Sequence, residues 1–262
     1  GYTVEWRVIN AADYGMPQRR RRTYILAYKR DTTIANQMAE PMDWLTLDGV
    51  FAHQFPIAEL NLEVNPFTIK KHDDDDLITI SNHFNEDNKI RPFSNAGVMV
   101  NGQVWTVSVE PNYDGPRTLL GDILATGEDR RFITEDYYIP EEALPQWQYL
   151  KGSKREERTA TNGHKFFYSE GRMAFPDPLD RPSRTIITSE GGTGPSRFKH
   201  VIRDPENGRL RRLIPLELER LDMFPDNHTA GQTDSKRAFF MGNALVCGII
   251  TKLGEEIYER LH

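Results

Sequence analysis

A turn that ends in four consecutive arginines joins two apolar segments at the start of this chain. The first segment alternates between apolar and polar residues over 2–8, and the second runs from Thr23 to Tyr28. The residues predicted to share one face of the first strand are Tyr2, Val4, Trp6 and Val8. Adjacent guanidinium groups repel one another, and each has five donors but no acceptor. The pattern therefore predicts a strand-turn-strand unit whose arginines meet an anionic or acceptor-rich partner, with a solvated basic loop as the open alternative.

The composition is that of a globular chain. It has 262 residues, of which 38% are apolar and 27% charged, and a net charge of −6. This length allows one large domain or two smaller ones with a buried core. A chain of negative charge that binds nucleic acid must do so through a local basic surface. No apolar segment approaches the roughly 20 residues that span a bilayer and no secretory leader is visible, so we expect a cytoplasmic location.

Cysteine and metal-ligand patterns are sparse. The single cysteine, Cys247, excludes an intramolecular disulfide and fits a reducing compartment. Seven histidines are scattered without the spacing of metal ligands, so no structural metal is predicted. Asp73 to Asp76 lacks the alternate spacing and glycine of a calcium loop and is interpreted as a solvated loop. The chain opens at Gly1, immediately before a strand, which suggests a piece of a longer sequence.

Residues 29–180 are predicted to be irregular and mostly β. The apolar runs 93–99 and 103–109 flank Asn101-Gly102, which predicts a hairpin. Short helices are expected over 118–124 and 140–150. A second basic cluster lies among glutamates, which favours a solvated face and leaves DNA contact as the alternative; its members are Lys151, Lys154, Arg155 and Arg158.

The C-terminal third begins with a predicted strand, Arg184 to Ser189, that runs into a glycine-rich loop. A nucleotide loop requires a helix next, whose amides face the phosphate. A further strand ending at Ile202 and a turn over 205–208 follow instead, so the glycines are interpreted as letting the backbone pass close to a large partner. Apolar periodicity predicts helices over 216–223, 234–240 and 243–261.

Three segments together resemble the C-terminal half of bacterial cytosine-5 DNA methyltransferases. Asn10 to Arg22 matches that family's eighth motif, with the pattern N-A-x-D-Y-G-x-P-Q-x-R-x-R. Residues 181–196, together with 211–221 and Phe224-Pro225-Asp226, resemble the ninth motif and the segment after it. Met241-Gly-Asn-Ala-Leu245 resembles the tenth. The stretch between lies where the family keeps its target-recognition domain.

Other family motifs have no counterpart in these residues. They are the F-x-G-x-G loop for the methyl donor, the Pro-Cys nucleophile and the Glu-Asn-Val acid. Cys247 follows Val246 rather than proline and lies on the apolar face of a predicted helix. A reactive thiol needs an electropositive, accessible setting, so Cys247 is interpreted as a core residue.

The resemblance implies methyl transfer from S-adenosylmethionine to C5 of a flipped cytosine in double-stranded DNA. It implies that Arg22 donates to O2 of the flipped base and that Arg20 holds phosphate or the neighbouring loop. It also implies that Asn243 and Ala244 complete the cofactor pocket, although a helix-capping role for Asn243 is equally compatible. The residues predicted to contact DNA are Gln18, Arg184, Thr188, Ser189, Gly191, Gly192, Ser196 and Arg197.

The expected fold is a mixed α/β one. It comprises edge strands and the final helix of a Rossmann-like methyltransferase domain, plus a mostly β target-recognition domain. The expected boundaries are 1–28 for the catalytic strands, 29–235 for target recognition and 236–262 for the returning helix. We expect restriction-modification as the setting, and an N-terminal catalytic half or subunit with the Pro-Cys motif as partner. The alternatives are a non-catalytic, sequence-specific DNA-binding module and a scaffold that retains the motifs only for packing.

Overall fold

A computed structural model describes residues 1–58, 64, 66–69, 76–84 and 92–262. The chain divides into two units, one of residues 1–15, 20–116 and 248–262 and the other of residues 16–19 and 117–247. The domain boundaries expected from the sequence stay a prediction. Of the run Asp73 to Asp76, the first three residues lie outside the described part; Asp76 caps a helix by accepting a hydrogen bond from the Thr79 amide at 2.7 Å.

The described elements are strands, α-helices and shorter helical turns. The strands are β1 (Tyr2–Asn10), β2 (Arg21–Lys29), β3 (Phe67–Thr68), β4 (Ala96–Val100), β5 (Gln103–Val107), β6 (Lys154–Thr159), β7 (Lys165–Glu170), β8 (Val201–Arg203) and β9 (Leu210–Arg212). The α-helices are α1 (Thr33–Gln37), α2 (Pro41–Asp43), α3 (Val50–Gln54), α4 (Leu77–His83), α5 (Leu144–Lys151), α6 (Pro215–Leu221), α7 (Asp234–Asn243) and α8 (Cys247–Leu261). A π-helix spans Trp44–Asp48, and 3-10 turns span Ala11–Tyr14, Leu120–Ile123, Gly127–Phe132, Glu135–Tyr137 and Glu141–Ala143.

The first unit contains a five-stranded antiparallel sheet in the order β2-β1-β4-β5-β3. The strand-turn-strand prediction for the N-terminus is confirmed, with Asn10 opposite Arg21 in the β1–β2 pair. The Asn101-Gly102 hairpin is also confirmed. Both residues have positive φ, 54° and 81°, as a two-residue hairpin turn requires.

The alternation in β1 is confirmed, but its more deeply buried face is the polar one. That face carries Glu5 and Arg7, which are 3% and 2% exposed. Arg7 donates to the carbonyl oxygens of Leu45 at 2.5 Å and Phe55 at 2.9 Å, which lie in the helical segment 44–55. Glu5 accepts from the Tyr28 hydroxyl at 2.5 Å. Burial is tolerated because these groups are hydrogen-bonded, which hydropathy alone does not reveal.

The expectation of mostly β structure after residue 29 is wrong for residues 33–54. That stretch holds α1, α2, the π-helix and α3. Trp44 and Phe51 are each 1% exposed, so these helical turns bury large apolar side chains. Helical turns this short are stabilised mainly by such packing. They are also too short for a helical period in the sequence to indicate them.

The second unit has its core around α6 and α7. Its buried apolar cluster consists of Leu120, Ile123, Leu124, Ile186, Ile202, Leu213, Leu218, Leu221, Ala238 and Met241. The predicted turn at 205–208 is confirmed as the connection between β8 and β9, with Gly208 at φ 72°. The strand predicted over Arg184 to Ser189 is wrong. The only ladder contact described next to it is an isolated parallel bridge between Gln18 and Ser183.

The C-terminal helical region is interrupted where one helix was predicted from residue 243 onwards. The helix α7 ends at Asn243, and α8 begins at Cys247. Asn243 therefore ends a helix rather than capping the start of the last one. Within the described ranges, no single helix is long and apolar enough to cross a membrane; α7 and α8 meet that test only as a bent pair, by length and composition. The mixed α/β class is confirmed.

Candidate functional site

The motif Asn10 to Arg22 begins as a single helical turn. The Asn10 side chain donates to the Asp13 carboxylate at 2.9 Å, and the turn ends at Gly15, whose φ is +85°. A Cβ at Gly15 would lie 2.4 Å from the carbonyl oxygen of Pro116. Left-handed backbone and close approach together require glycine at this position.

The two motif arginines have different environments. Arg20 is 1% exposed, and its carbonyl oxygen accepts from the Ala11 amide at 3.2 Å. Arg22 lies opposite Ile9 in the β1–β2 pair and is exposed, with its guanidinium donating to the Arg21 carbonyl oxygen at 2.7 Å. Burial of Arg20 favours holding the neighbouring loop over gripping phosphate, whereas Arg22 is accessible to a ligand. Both roles stay predictions.

Gln18 is fully buried and joins three parts of the second unit. Its amide nitrogen donates to the Asp222 carboxylate at 2.8 Å and to the Leu221 carbonyl oxygen at 3.3 Å. Its amide oxygen accepts from the Ile186 amide at 3.0 Å. The side chain predicted to contact DNA is therefore engaged inside the protein.

The backbone on either side of Gln18 pairs with the start of the segment 181–196, which resembles the ninth motif. The Ser183 amide donates to the Pro17 carbonyl oxygen at 2.7 Å, and the Arg19 amide donates to the Ser183 carbonyl oxygen at 2.8 Å. The Thr185 hydroxyl donates to the Arg19 carbonyl oxygen. Motif segments more than 160 residues apart are thus adjacent.

The glycine-rich loop is held from inside by a buried glutamate. Glu190 accepts from the His200 amide at 2.9 Å and contacts the His200 ring nitrogen Nδ1 at 2.9 Å. Burial acts to raise the pKa of Glu190, but the charge and hydrogen bonds of His200 outweigh it, so that pKa lies below its usual value. No spacing pattern in the sequence indicates that Glu190 and His200 pair.

Ser183 extends this contact into a serine-histidine-glutamate chain. Its hydroxyl oxygen lies 3.0 Å from Nε2 of His200. Such a chain can activate a nucleophile. Here all three side chains are at most 2% exposed, and the Ser183 hydroxyl donates to the Arg184 carbonyl oxygen at 2.9 Å. The hydroxyl is inaccessible to a substrate, so the serine-histidine-glutamate arrangement is structural.

The glycines of the loop pack against the protein itself. A Cβ at Gly191 would lie 2.7 Å from the Ser235 Cα in α7, and one at Gly192 would lie 3.0 Å from Nζ of Lys199. Lys199 donates to the Gly192 carbonyl oxygen at 2.7 Å. Close approach at Gly191 is to the chain's own helix, so a large partner is not needed to explain that glycine.

Two arginines predicted to contact DNA form internal contacts. Arg184 pairs with both oxygens of buried Asp177, at 2.6 and 3.1 Å. Arg197 donates to the carbonyl oxygens of Leu150 at 3.0 Å and Gly152 at 3.2 Å. The hydroxyl residues differ from them, because Thr188 and Ser189 are exposed, while Ser196 is half-buried. A DNA contact at each of these positions stays a prediction.

The second basic cluster does not form one solvated face. Lys151 is 1% exposed and donates to the Lys199 carbonyl oxygen at 2.6 Å. Burial lowers the pKa of Lys151 to about 8. Lys154, Arg155 and Arg158 instead lie on the hairpin of β6 and β7.

Asn243 and Ala244 lie where α7 ends. The Asn243 side chain is exposed and donates to the Phe239 carbonyl oxygen at 3.0 Å. Ala244 lines a cavity of about 430 Å³, within the range of small-molecule sites. Its other lining residues are Phe224, His228, Thr229, Ala230, Gln232, Phe240 and Met241. The lining combines aromatic and polar side chains, and a cofactor contact at Asn243 or Ala244 stays a prediction.

Cys247 is partly buried at the start of α8. Its amide donates to the Asp222 carbonyl oxygen at 2.8 Å. Burial, with a smaller contribution from the Asp222 charge, raises the pKa of the Cys247 thiol. A raised pKa disfavours the thiolate that a nucleophile needs. No cluster of metal-ligating side chains occurs in the described ranges.

A buried ion network lies in the segment 204–217, and its pairing was not predicted from the sequence. The Arg211 guanidinium makes two hydrogen bonds to Glu217, at 2.7 and 2.8 Å, and one to Asp204 at 2.8 Å. Arg220 binds the carboxylates of Asp226 and Asp129 instead. Glu217 and Arg220 lie three positions apart on α6, a spacing that would allow an ion pair, but each binds other partners.

Comparison with known proteins agrees with these motifs. A family model for C-5 cytosine-specific DNA methylase matches residues 1–259. The type II methyltransferase M.Sau3AI of Staphylococcus aureus is 39% identical over 260 residues, which are 98% of this chain and 59% of that protein. The type II methyltransferase M.MthTI of Methanothermobacter thermautotrophicus is 42% identical over 43 residues, which are 16% of this chain and 13% of that protein.

A solved structure supports the fold. The crystal structure of the S. pombe Dnmt2 methyltransferase aligns with a TM-score of 0.50 at 15% identity, covering 100% of this chain and 58% of that one. The expectation that the resemblance is to the C-terminal half alone is wrong, because the family model matches residues 1–259 and the M.Sau3AI alignment covers 98% of the chain. The family uses S-adenosylmethionine as its methyl donor. The chain belongs to the C-5 cytosine-specific DNA methylase family.

Proposed function

We propose that this chain recognises double-stranded DNA and supports methylation of a flipped cytosine at C5. The match of the family model to residues 1–259 carries this proposal. The name of M.Sau3AI, a type II methyltransferase, supports restriction-modification as the setting, and we propose the cytoplasm as the place of action. The chain spans 59% of that relative's length, so the activity and partners of this chain are proposals.

Arg22 is the residue that we assign to the flipped base. A cytosine inside a duplex exposes neither ring face, so it must leave the stack before reaction. Arg22 is exposed, and its guanidinium can donate to O2 of a cytosine placed against the start of β2. Such a contact withdraws electron density from the ring and stabilises negative charge that develops during attack at C6.

The residues at the end of α7 are those that we assign to the cofactor. S-adenosylmethionine, when bound, supplies the methyl group. Ala244 lines the 430 Å³ cavity, and the exposed amide of Asn243 lies next to it in sequence. This chain's contribution is to bind and orient the adenosyl part through these two positions.

We also propose that the nucleophilic thiol comes from outside these 262 residues. Cys247 lacks the preceding proline of the family's nucleophile, and burial raises its pKa. The chain by itself is then expected to bind duplex DNA without methylating it. A segment carrying the Pro-Cys motif would complete the reaction.

Transfer of a labelled methyl group to duplex DNA tests this division of roles. The expected result is salt-sensitive DNA binding by the chain, with transfer only when a polypeptide carrying the Pro-Cys motif is added. Transfer by the chain alone that is lost in Cys247→Ala would contradict the missing thiol. Absence of DNA binding would contradict the function itself, and binding without transfer under any condition would favour a non-catalytic module.

Arg22→Ala tests the assigned base contact in the active assembly. Turnover should fall far more than DNA affinity, because the contact forms only with the flipped base. Arg21→Ala, at the neighbouring exposed position, is the matched control. Equal losses of turnover and affinity in Arg22→Ala would refute the assignment.

A further inference from the structure

The hairpin of β6 and β7 forms a two-stranded ribbon. Its register runs from Lys154 opposite Glu170 to Thr159 opposite Lys165. The loop over 160–164 closes it, with Gly163 at φ 82°. Among the described strands, no third strand pairs with β6 or β7. The ribbon is therefore not part of a larger sheet.

The inner face of the ribbon packs on the rest of the second unit near Lys154 and Glu170, whereas Arg158 and Phe166 on that face are exposed near the loop. Its half-buried Glu156 accepts from the Tyr149 hydroxyl of α5 at 3.0 Å. Glu170 pairs with Lys154 at 3.8 Å and with Arg197 at 3.3 Å. These contacts compensate the charges of the inner face and fix the ribbon to α5 and to the segment around Arg197.

The outer face has the opposite character. All of its residues are exposed: Arg155, Glu157, Thr159, Lys165, Phe167 and Ser169. Phe167 is 60% exposed, although it lies in the middle of a strand. The Arg155 guanidinium lies 4.6 Å from the centre of the Phe167 ring, and within the described residues it forms no ion pair. Packing therefore accounts for neither side chain.

We propose that the outer face of this ribbon enters the major groove of duplex DNA, where Arg155 and Phe167 contact base edges. This proposal rests on the proposed function. The major groove is about 12 Å wide and accommodates a two-stranded ribbon. The Arg155 fork matches the two acceptors of guanine, and an exposed aromatic ring suits the methyl group of thymine. Lys165 pairs with Glu157 on the same face at 3.1 Å, and this exposed ammonium can contact phosphate by exchanging that partner.

Two substitutions test the proposal, and the same ribbon provides their controls. Arg155→Ala and Phe167→Ala alter the outer face. Arg158→Ala and Phe166→Ala remove the same side-chain types from the inner face, where Arg158 stacks 3.7 Å from the Tyr168 ring centre. The probe is a pool of duplexes with a randomised central segment, from which the full chain selects a sequence. Specificity is the affinity for the selected duplex divided by that for a scrambled one, at fixed salt.

Each outer-face substitution is expected to lower specificity about tenfold and to relax the selected sequence at different base positions. The inner-face variants should keep specificity within about twofold of the original chain. An unchanged selected sequence and ratio in the outer-face variants would overturn the ribbon proposal while leaving DNA binding intact. Binding without sequence preference by the original chain would overturn it as well. No duplex binding by the original chain would overturn the proposed function together with it.

Discussion

Gln18→Ala separates a structural role from a DNA-binding one. The sequence motif places Gln18 among DNA-contacting residues, whereas its side chain bonds to Asp222, Leu221 and Ile186 inside the second unit. Truncation removes one hydrogen bond to a charged group, worth about 1.5–3 kcal/mol, and one to a backbone amide, worth about 0.5–1.5 kcal/mol. The bond to Leu221 is longer, at 3.3 Å, and adds little. The expected loss of unfolding free energy is therefore about 2–4.5 kcal/mol.

Urea unfolding measures that loss. With a slope of about 3 kcal/mol per molar urea, the midpoint should fall by roughly 0.7–1.5 M. The neighbouring Arg19 is exposed, so Arg19→Ala is the matched control and should change stability by less than about 0.5 kcal/mol. Fluorescence anisotropy with a labelled duplex, under conditions in which Gln18→Ala remains folded, should give an affinity within about twofold of the original chain. A stable variant with weakened DNA binding would refute the structural role.

Gln18→Glu refines the test through pH. The substitution replaces the donor that faces Asp222 with an oxygen, so two carboxylates would lie about 2.8 Å apart. Burial and the Asp222 charge would raise the folded-state pKa of the introduced carboxyl above its unfolded value. The variant should therefore be closest to the original chain at low pH and lose stability as pH rises through that folded-state pKa. Stability that is independent of pH relative to the original chain would contradict this geometry.

Three further predictions concern stability, each measured by urea unfolding. Burial raises the pKa of Glu5 to about 7, so the stability that protonated Glu5 contributes should be fully present below about pH 4.5 and lost as the pH rises to about 7. Glu5→Gln should remove this decline in unfolding free energy, which is on the order of 3 kcal/mol. Gly242→Ala should destabilise strongly, because its Cβ would lie 2.3 Å from a backbone nitrogen, whereas Gly254→Ala in α8 meets nothing within 4 Å and should be neutral or stabilising by up to about 1 kcal/mol. Arg211→Ala should cost about 3–5 kcal/mol because it leaves the buried carboxylate of Glu217 without its cation, whereas Arg209→Ala, at an exposed pair, should have a far smaller effect; equal effects in either pair of variants would contradict the burial argument.

Local chemistry made some elements predictable from the sequence. Asn101-Gly102 specifies a hairpin through its backbone preferences, independently of any distant residue. The turn at 205–208 was predictable for the same reason. The motif spacing likewise identified which segments belong to one family before any contact between them was known.

Features set by distant partners were not predictable. Arg184 and Arg197 read as free basic groups in the sequence, yet their partners, Asp177 and the carbonyl oxygens of residues 150 and 152, lie on other segments. The polar interior of β1 depends in the same way on carbonyl groups of the segment 44–55 that Arg7 satisfies. A single sequence records residue types but not the pairing that turns a charged side chain into a core residue.

The burial of Gln18 also has a consequence for the order in which the chain can fold. Its partner Asp222 lies 204 positions later. At synthesis rates of about 5–20 residues per second, residues 16–19 would leave the ribosome about 10–40 seconds before that partner exists. Closing so long a loop has an entropic cost that is offset only when the contacts form. Residues 16–19 would thus spend this interval without their native neighbours, and the second unit would complete its fold only after residue 222 has been made.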